Sequence, residues 1–134
     1  LMQALGEGVP DRFQGRSLLP LLRGEGAGGY EPKTEIHYEF DYRGAGMAAQ
    51  EEEGGDPDKH LLWVVRDREF KYIHFADEKM SPILFDLRTD PDESDNVAGE
   101  AEYASVELNC CQRLLRWRMY CEDQRGEHWA QQYR

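Results

Sequence analysis

Between Thr34 and Leu87 the chain carries four short runs of strand character, and the later ones are joined by turns too short for anything but antiparallel pairing. A parallel pair would need a crossover of a dozen or more residues. The first run, Thr34 to Arg43, is the clearest. Ile36, Tyr38, Phe40 and Tyr42 alternate with His37, Glu39, Asp41 and Arg43, giving one apolar and one ionisable face. Leu61 to Arg66 and Glu69 to Ala76 read as a hairpin around Asp67-Arg68. That dipeptide is not the preferred Asn-Gly type, so the turn residues stay open. Ile83 to Leu87 is the fourth strand, introduced by Pro82 and ended by the Asp90-Pro91 turn.

After Glu100 the period changes from two to that of a helix. Tyr103, Val106, Cys110, Leu114, Trp117 and Cys121 recur at spacings of three and four and form one stripe for burial. Glu107, Gln112, Arg116 and Asp123 lie opposite, and Gly126 breaks the pattern. The fold class expected is α+β: a small four-stranded antiparallel sheet with a long C-terminal helix packed on one face. Residues 1–134 are expected to form one unit. Connecting helices and loop take 1–33, the sheet 34–87, the helix 99–123 and a polar tail 124–134. Within the first part, Leu1 to Leu5 reads as the last turns of a helix ending at Gly6. A short helix follows, with Ser17 as N-cap, Pro20 tolerated in its first turn and Gly24 as its stop. A chain that opens inside a helix suggests a fragment of something longer.

The net charge of −11 argues against nucleic acid or an anionic membrane as partner. No apolar run reaches the length of a bilayer span. The acid clusters at Glu51, Glu52, Glu53, Asp56 and Asp58, and again at Asp90, Asp92, Glu93 and Asp95, and both clusters read as solvated loops. Three cysteines, Cys110, Cys111 and Cys121, fall in one helix and do not suggest a disulfide framework, so a reducing, cytoplasmic compartment is the simpler expectation.

The search for chemistry finds little. No G-x-S-x-G elbow, H-E-x-x-H pair or glycine-rich phosphate loop is present. His37, Glu39 and Asp41 share one strand face and could offer an imidazole and two carboxylates to a metal. The trio is read first as the polar side of an amphipathic strand, and no metal site is assigned to it. The cysteines line a packing stripe and suit a core better than a nucleophile's role.

Five segments, in order, resemble the C-terminal region of the sulfatase family within the alkaline phosphatase superfamily. Gly15-Arg16-Ser17-Leu18-Leu19-Pro20-Leu21-Leu22 is similar to the element that follows that family's catalytic core. Thr34 to Arg43 resembles a strand of the phosphonate monoester hydrolase branch. Arg68 to Phe75 resembles the family's R-x-x-K-Y-I strand. Leu84 to Glu93, continuing to Asn96-Val97-Ala98, resembles its L-Y-D-L, D-P-x-E, N-L-A ending. Leu115-Arg116-Trp117-Arg118 again matches the phosphonate hydrolase branch.

The resemblance implies a four-stranded antiparallel subdomain with a C-terminal helix. It also implies a hydrolase parent acting on sulfate esters, phosphodiesters or phosphonate monoesters. Such a parent uses a formylglycine made from a C/S-x-P-x-R motif and one divalent cation. Cys121 and Arg125 have the right separation, but Asp123 stands where the proline belongs. No catalytic residue, cofactor or metal ligand therefore carries over to this chain. It is expected to be inactive alone, to support an N-terminal catalytic domain and to take part in a homo-oligomer. Tyr38, Phe40, Tyr42, Trp117, Trp129 and Tyr133 are its expected interface residues. Without its partner it should expose apolar surface and self-associate. The alternative is a free-standing oligomerisation or binding module with no enzymatic parent.

Overall fold

The computed structural model describes residues 2–10, 15–24, 32–41 and 61–130, with side chains as far as Cys121. It divides into two compact units, Leu1–Lys33 and Thr34–Arg134.

The first unit holds a 3₁₀ turn, Met2–Leu5, and the short helix α1, Leu19–Leu22. Gly6 and Gly24 end these elements at φ of 81° and 69°, backbone that a side chain would strain. Helix α1 starts one residue later than expected. Its N-cap position is Leu18, which provides no side-chain cap. Ser17 Oγ still accepts the Leu19 N–H at 3.2 Å, and Pro20 occupies the first turn.

The second unit is a meander of four strands: β1 (Ile36–Asp41), β2 (Leu61–Arg66), β3 (Phe70–Phe75) and β4 (Ile83–Asp86). They lie in the order β1-β2-β3-β4, each antiparallel to the next. A 3₁₀ turn, Ala101–Tyr103, leads into the helix α2, Ala104–Ala130. The α+β class, the antiparallel sheet and the long C-terminal helix are those expected from the sequence. The helix, however, runs through Gly126. A glycine inside a helix costs only ~1 kcal/mol relative to alanine, so alone it does not force an end.

The β2–β3 turn depends on Asp67. Its Oδ1 accepts the N–H groups of Glu69 and Phe70 at 2.7 Å each, so the carboxylate closes the turn that an Asn-Gly pair would otherwise make. Beyond β4 the acidic run is not simply solvated loop. Asp90 Oδ2 accepts the N–H groups of Ser94 and Asp95 at 2.8 and 2.9 Å, and Glu93 turns the chain at φ 57°. Asn96 Oδ1 then accepts the Leu84 and Ala98 N–H groups, and the Val97 N–H donates to the Leu84 carbonyl. The returning segment thereby satisfies the outer edge of β4, where an open strand edge would invite unwanted pairing.

The core lies between the sheet and α2. Val65, Tyr72 and Leu84 pack with Cys110 and Leu114, flanked by Trp63, Phe70, Tyr103, Val106 and Trp117. These helix residues belong to the stripe read from the period of three and four.

Candidate docking face of the sheet

The antiparallel register fixes which side chains share a face, because directly paired residues point the same way. On the helix side lie His37, Glu39 and Asp41 of β1, opposite Val65, Trp63 and Leu61. Tyr72, His74, Leu84 and Asp86 continue that face. The other face carries Ile36, Tyr38 and Phe40, then Leu62 and Val64, then Ile73 and Phe75, then Ile83 and Phe85. Both faces are therefore apolar in the middle. Among the described residues of this unit, α2 packs on the first.

The orientation of β1 differs from the simplest expectation for an amphipathic strand. Its ionisable face turns inward to α2, and its aromatic face turns outward. The inward turn is possible because Glu35 and Glu39 meet arginines of α2. The Arg113 guanidinium is only 16% exposed; its Nε and Nη2 donate to Glu35 Oε2 at 2.7 and 2.6 Å, and its Nη1 reaches Asp67 Oδ2 at 2.8 Å. This fork ties β1, the β2–β3 turn and α2 together. Arg118 Nη1 donates to Glu39 Oε2 at 3.1 Å and lies over the Trp63 ring. His37 stacks on Trp117 with ring centroids 5.1 Å apart, and its Nε2 lies 3.4 Å from Glu35 Oε1. Asp41 is exposed at the strand end. His37, Glu39 and Asp41 thus go to three different surroundings. Among the described residues, no three His, Cys, Asp or Glu side chains come together in a way that could hold a metal ion.

Two buried polar groups lie on the same side. Asp86 accepts from Arg88 Nε and Nη2 at 2.8 and 2.6 Å, from the Arg88 N–H, and from the Tyr103 hydroxyl. The Arg88 guanidinium beside it holds its carboxyl below the usual carboxylate range. The Tyr72 hydroxyl sits 3.1 Å from His74 Nδ1 and 3.0 Å from Cys111 Sγ, and burial raises its pKa. The Cys110 thiol is pushed up to about 11 by burial, so it stays protonated and unreactive. No disulfide joins the described cysteines. Asp86, Tyr72 and Cys110 are thus buried within the packed side of the sheet, while His74 at the end of this cluster is exposed.

The outward face has the opposite character. Ile36, Tyr38 and Phe40 are 52%, 41% and 48% exposed, while Val64 at the centre of the face is buried. At one corner Glu93 pairs with Lys71 and Arg66, and Lys71 lies over the Phe85 ring. Of the residues expected at an interface, Tyr38 and Phe40 are on this face. Trp117 is on the helix side, stacked on His37. Tyr42, the Trp129 side chain and Tyr133 lie outside the described residues. The period of two did not separate Leu62, Val64, Ile73, Phe75, Ile83 and Phe85 into their own face. The run Leu61-Leu62-Trp63-Val64-Val65, apolar without alternation, is the signal that would have done so, since a strand covered on both faces reads this way.

The sequence profile described as "N-sulphoglucosamine sulphohydrolase, C-terminal" matches residues 1–120. The multifunctional alkaline phosphatase superfamily protein PehA of Trinickia caryophylli is 37% identical over 130 residues, which cover 96% of this chain and 24% of PehA. Arylsulfatase K of Xenopus laevis is 33% identical over 112 residues, 81% of this chain and 19% of that protein. The crystal structure of phosphonate monoester hydrolase of Agrobacterium radiobacter superposes with a TM-score of 0.64 at 37% identity, over 79% of this chain and 20% of that one. The chain therefore spans about a quarter or less of the relatives it matches.

Proposed function

The chain belongs to the family of sulfatase C-terminal regions described as N-sulphoglucosamine sulphohydrolase, C-terminal, and from that premise we propose that it is the supporting end of a sulfatase or phosphonate monoester hydrolase. In this reading the outward face of the sheet docks against a catalytic domain that precedes it in the parent. The observation that carries the reading is the sheet's second apolar face. An antiparallel sheet that ends at water on one side usually shows polar residues there, and one that is apolar on both sides is a middle layer. Exposed aromatic residues on β1 fit a contact of this kind better than they fit solvent.

The chemistry of the parent would belong to the upstream part. A formylglycine and a divalent cation would supply the nucleophile and polarise the ester there. Among the described residues nothing groups in a way that fits either. The Cys121 to Arg125 segment has Asp123 in place of the motif's proline, Glu35, Glu39 and Asp86 are held by arginines, and no three His, Cys, Asp or Glu side chains come together as a metal site. Its contribution is to hold a rigid sheet against the catalytic layer. The substrate is proposed at the level of class, a sulfate ester, phosphodiester or phosphonate monoester.

The test is complementation. The chain alone should hydrolyse neither an aryl sulfate nor a phenyl phosphonate ester. Added to the upstream region of its parent, made as a separate polypeptide, it should restore hydrolysis. Turnover by the purified chain alone, or an upstream region fully active without it, would refute the supporting role.

A further inference from the structure

Strand β3 and helix α2 bring a thiol, a phenol and an imidazole into one hydrogen-bonded chain. The Tyr72 hydroxyl lies 3.0 Å from Cys111 Sγ and 3.1 Å from His74 Nδ1. Tyr72 and His74 are two residues apart on β3 and so share its helix-side face. Cys111 comes to them from α2, 39 positions away. The chain runs from a half-buried thiol through a buried hydroxyl to an exposed imidazole. Burial keeps the phenol protonated, so it can hand on a proton but not hold a charge. A hydroxyl offers one donor and two acceptor lone pairs. One arrangement satisfies both contacts: the thiol S–H donates to the Tyr72 oxygen, and the Tyr72 O–H donates to His74 Nδ1. Docking of the sheet's outward face uses none of the three.

The geometry points to Cys111 as a reactive thiol that exchanges with small aliphatic disulfides, its proton drawn off through Tyr72 by His74. As the Cys111 sulfur attacks one sulfur of the reagent, its proton passes to the Tyr72 oxygen and the Tyr72 proton passes to His74 Nδ1. A new S–S bond joins Cys111 to one half of the reagent. The reagent's own S–S bond breaks, and the other half leaves as a thiolate with both electrons of that bond. That thiolate takes up a proton from water, and His74 returns its proton to water. The protein thiol is oxidised and the reagent disulfide reduced, with no other oxidant involved. The surroundings suit this direction of proton transfer. Glu107, one turn before Cys111, places a carboxylate near Tyr72, and a carboxylate favours an imidazolium beside it. Cys110 also faces Tyr72 from α2. On β2, Trp63 stands opposite His74 with the Arg118 guanidinium over its ring, and on β4 the apolar Leu84 stands opposite Tyr72. Arg118 opposes an imidazolium, but its charge is met by Glu39. Half-burial of Cys111 restricts the reagent to a small molecule.

The test treats the 134-residue chain with hydroxyethyl disulfide and follows each cysteine by peptide mass spectrometry. A thiol that reacts only as free thiolate speeds up nearly tenfold per pH unit below ~8.5, whereas a base-assisted thiol levels off once its base is free, above ~6.5 for an ordinary imidazole. Between about pH 7 and about pH 8 the Cys111 rate should therefore rise less than about threefold, and the rate of Cys121, the internal control, about eightfold. At about pH 7 Cys111 should react at least about tenfold faster than Cys121. His74→Gln, at an exposed position, should bring Cys111 down to the Cys121 rate and give it the same steep pH dependence. Tyr72→Phe keeps the ring in the core and should do likewise. A purely structural contact would leave the slope of the pH profile where it was. A wild-type Cys111 no faster than Cys121, or a pH profile that His74→Gln leaves unchanged, would overturn the inference. Should Tyr72→Phe fail to fold, His74→Gln alone decides.

Discussion

Asp86 and Arg88 are two residues apart in sequence, yet they sit on different sides of the water boundary. The carboxylate is 4% exposed and the guanidinium 52% exposed. A buried carboxylate with several donors stays ionised well into acid. Asp67 behaves in the same direction: burial pushes its pKa up, but the Phe70 and Glu69 N–H groups and Arg113 outweigh that and lower it. A carboxylate with a folded pKa below its unfolded value adds stability that is complete above the unfolded value, near 3.8, and is lost as pH falls through the folded one. The urea midpoint should therefore be flat above about pH 5 and should fall below about pH 4. Asp86→Asn should cost about 2 kcal/mol at neutral pH, the worth of hydrogen bonds to a charged group, with the gap to wild type closing in acid. The cysteines give a second check. Cys110 is buried with a raised pKa, while Cys111 and Cys121 are half-buried. Alkylation with iodoacetamide, followed by peptide mass spectrometry, should leave Cys110 unmodified until urea unfolds the chain. Modification of Cys110 in the native protein at the rate of the other two would contradict the packing described.

At the scale of the elements, what holds α2 to the sheet is an apolar stripe and an ion network, and these differed in legibility. The stripe from Tyr103 to Cys121 was legible because a period of three and four maps directly onto one helix face. The network was not. Arg113 meets Glu35 and Asp67 across 78 positions for the first pair, and no local pattern encodes such a distance. Strand β1 shows the same limit. Its alternation revealed two faces, but which face meets the helix depends on charges from elsewhere in the fold. Arg113 and Arg118 reverse the naive choice by neutralising Glu35 and Glu39. Arg113→Met should destabilise the chain by about 2–3 kcal/mol, because it leaves two partly buried carboxylates without their cation. Arg113→Lys should recover only part of that loss, since an ammonium cannot make the two-pronged contact. Urea titration of the three proteins measures both. Equal stability for wild type and Arg113→Met would mean that the network contributes nothing beyond the apolar contact.

At the scale of the whole molecule, the sheet is proposed to be a layer that docks a neighbour. The sheet has one face closed by α2 and another that presents Tyr38 and Phe40, and the chain matches only the end of proteins several times its length. The exposed aromatic residues of β1 are what the proposed docking role rests on. The central claim is that the outward face of the sheet docks the upstream catalytic region. Calorimetric titration of that region with three forms of the chain tests it most directly: wild type, Tyr38→Asp with Phe40→Asp, and Leu115→Glu on the far side of α2. The account predicts that the sheet-face double substitution weakens binding by about a hundredfold or more, from the lost burial of two aromatic side chains. It also predicts that Leu115→Glu binds as the wild type does. Undiminished binding by the sheet-face variant would contradict the account.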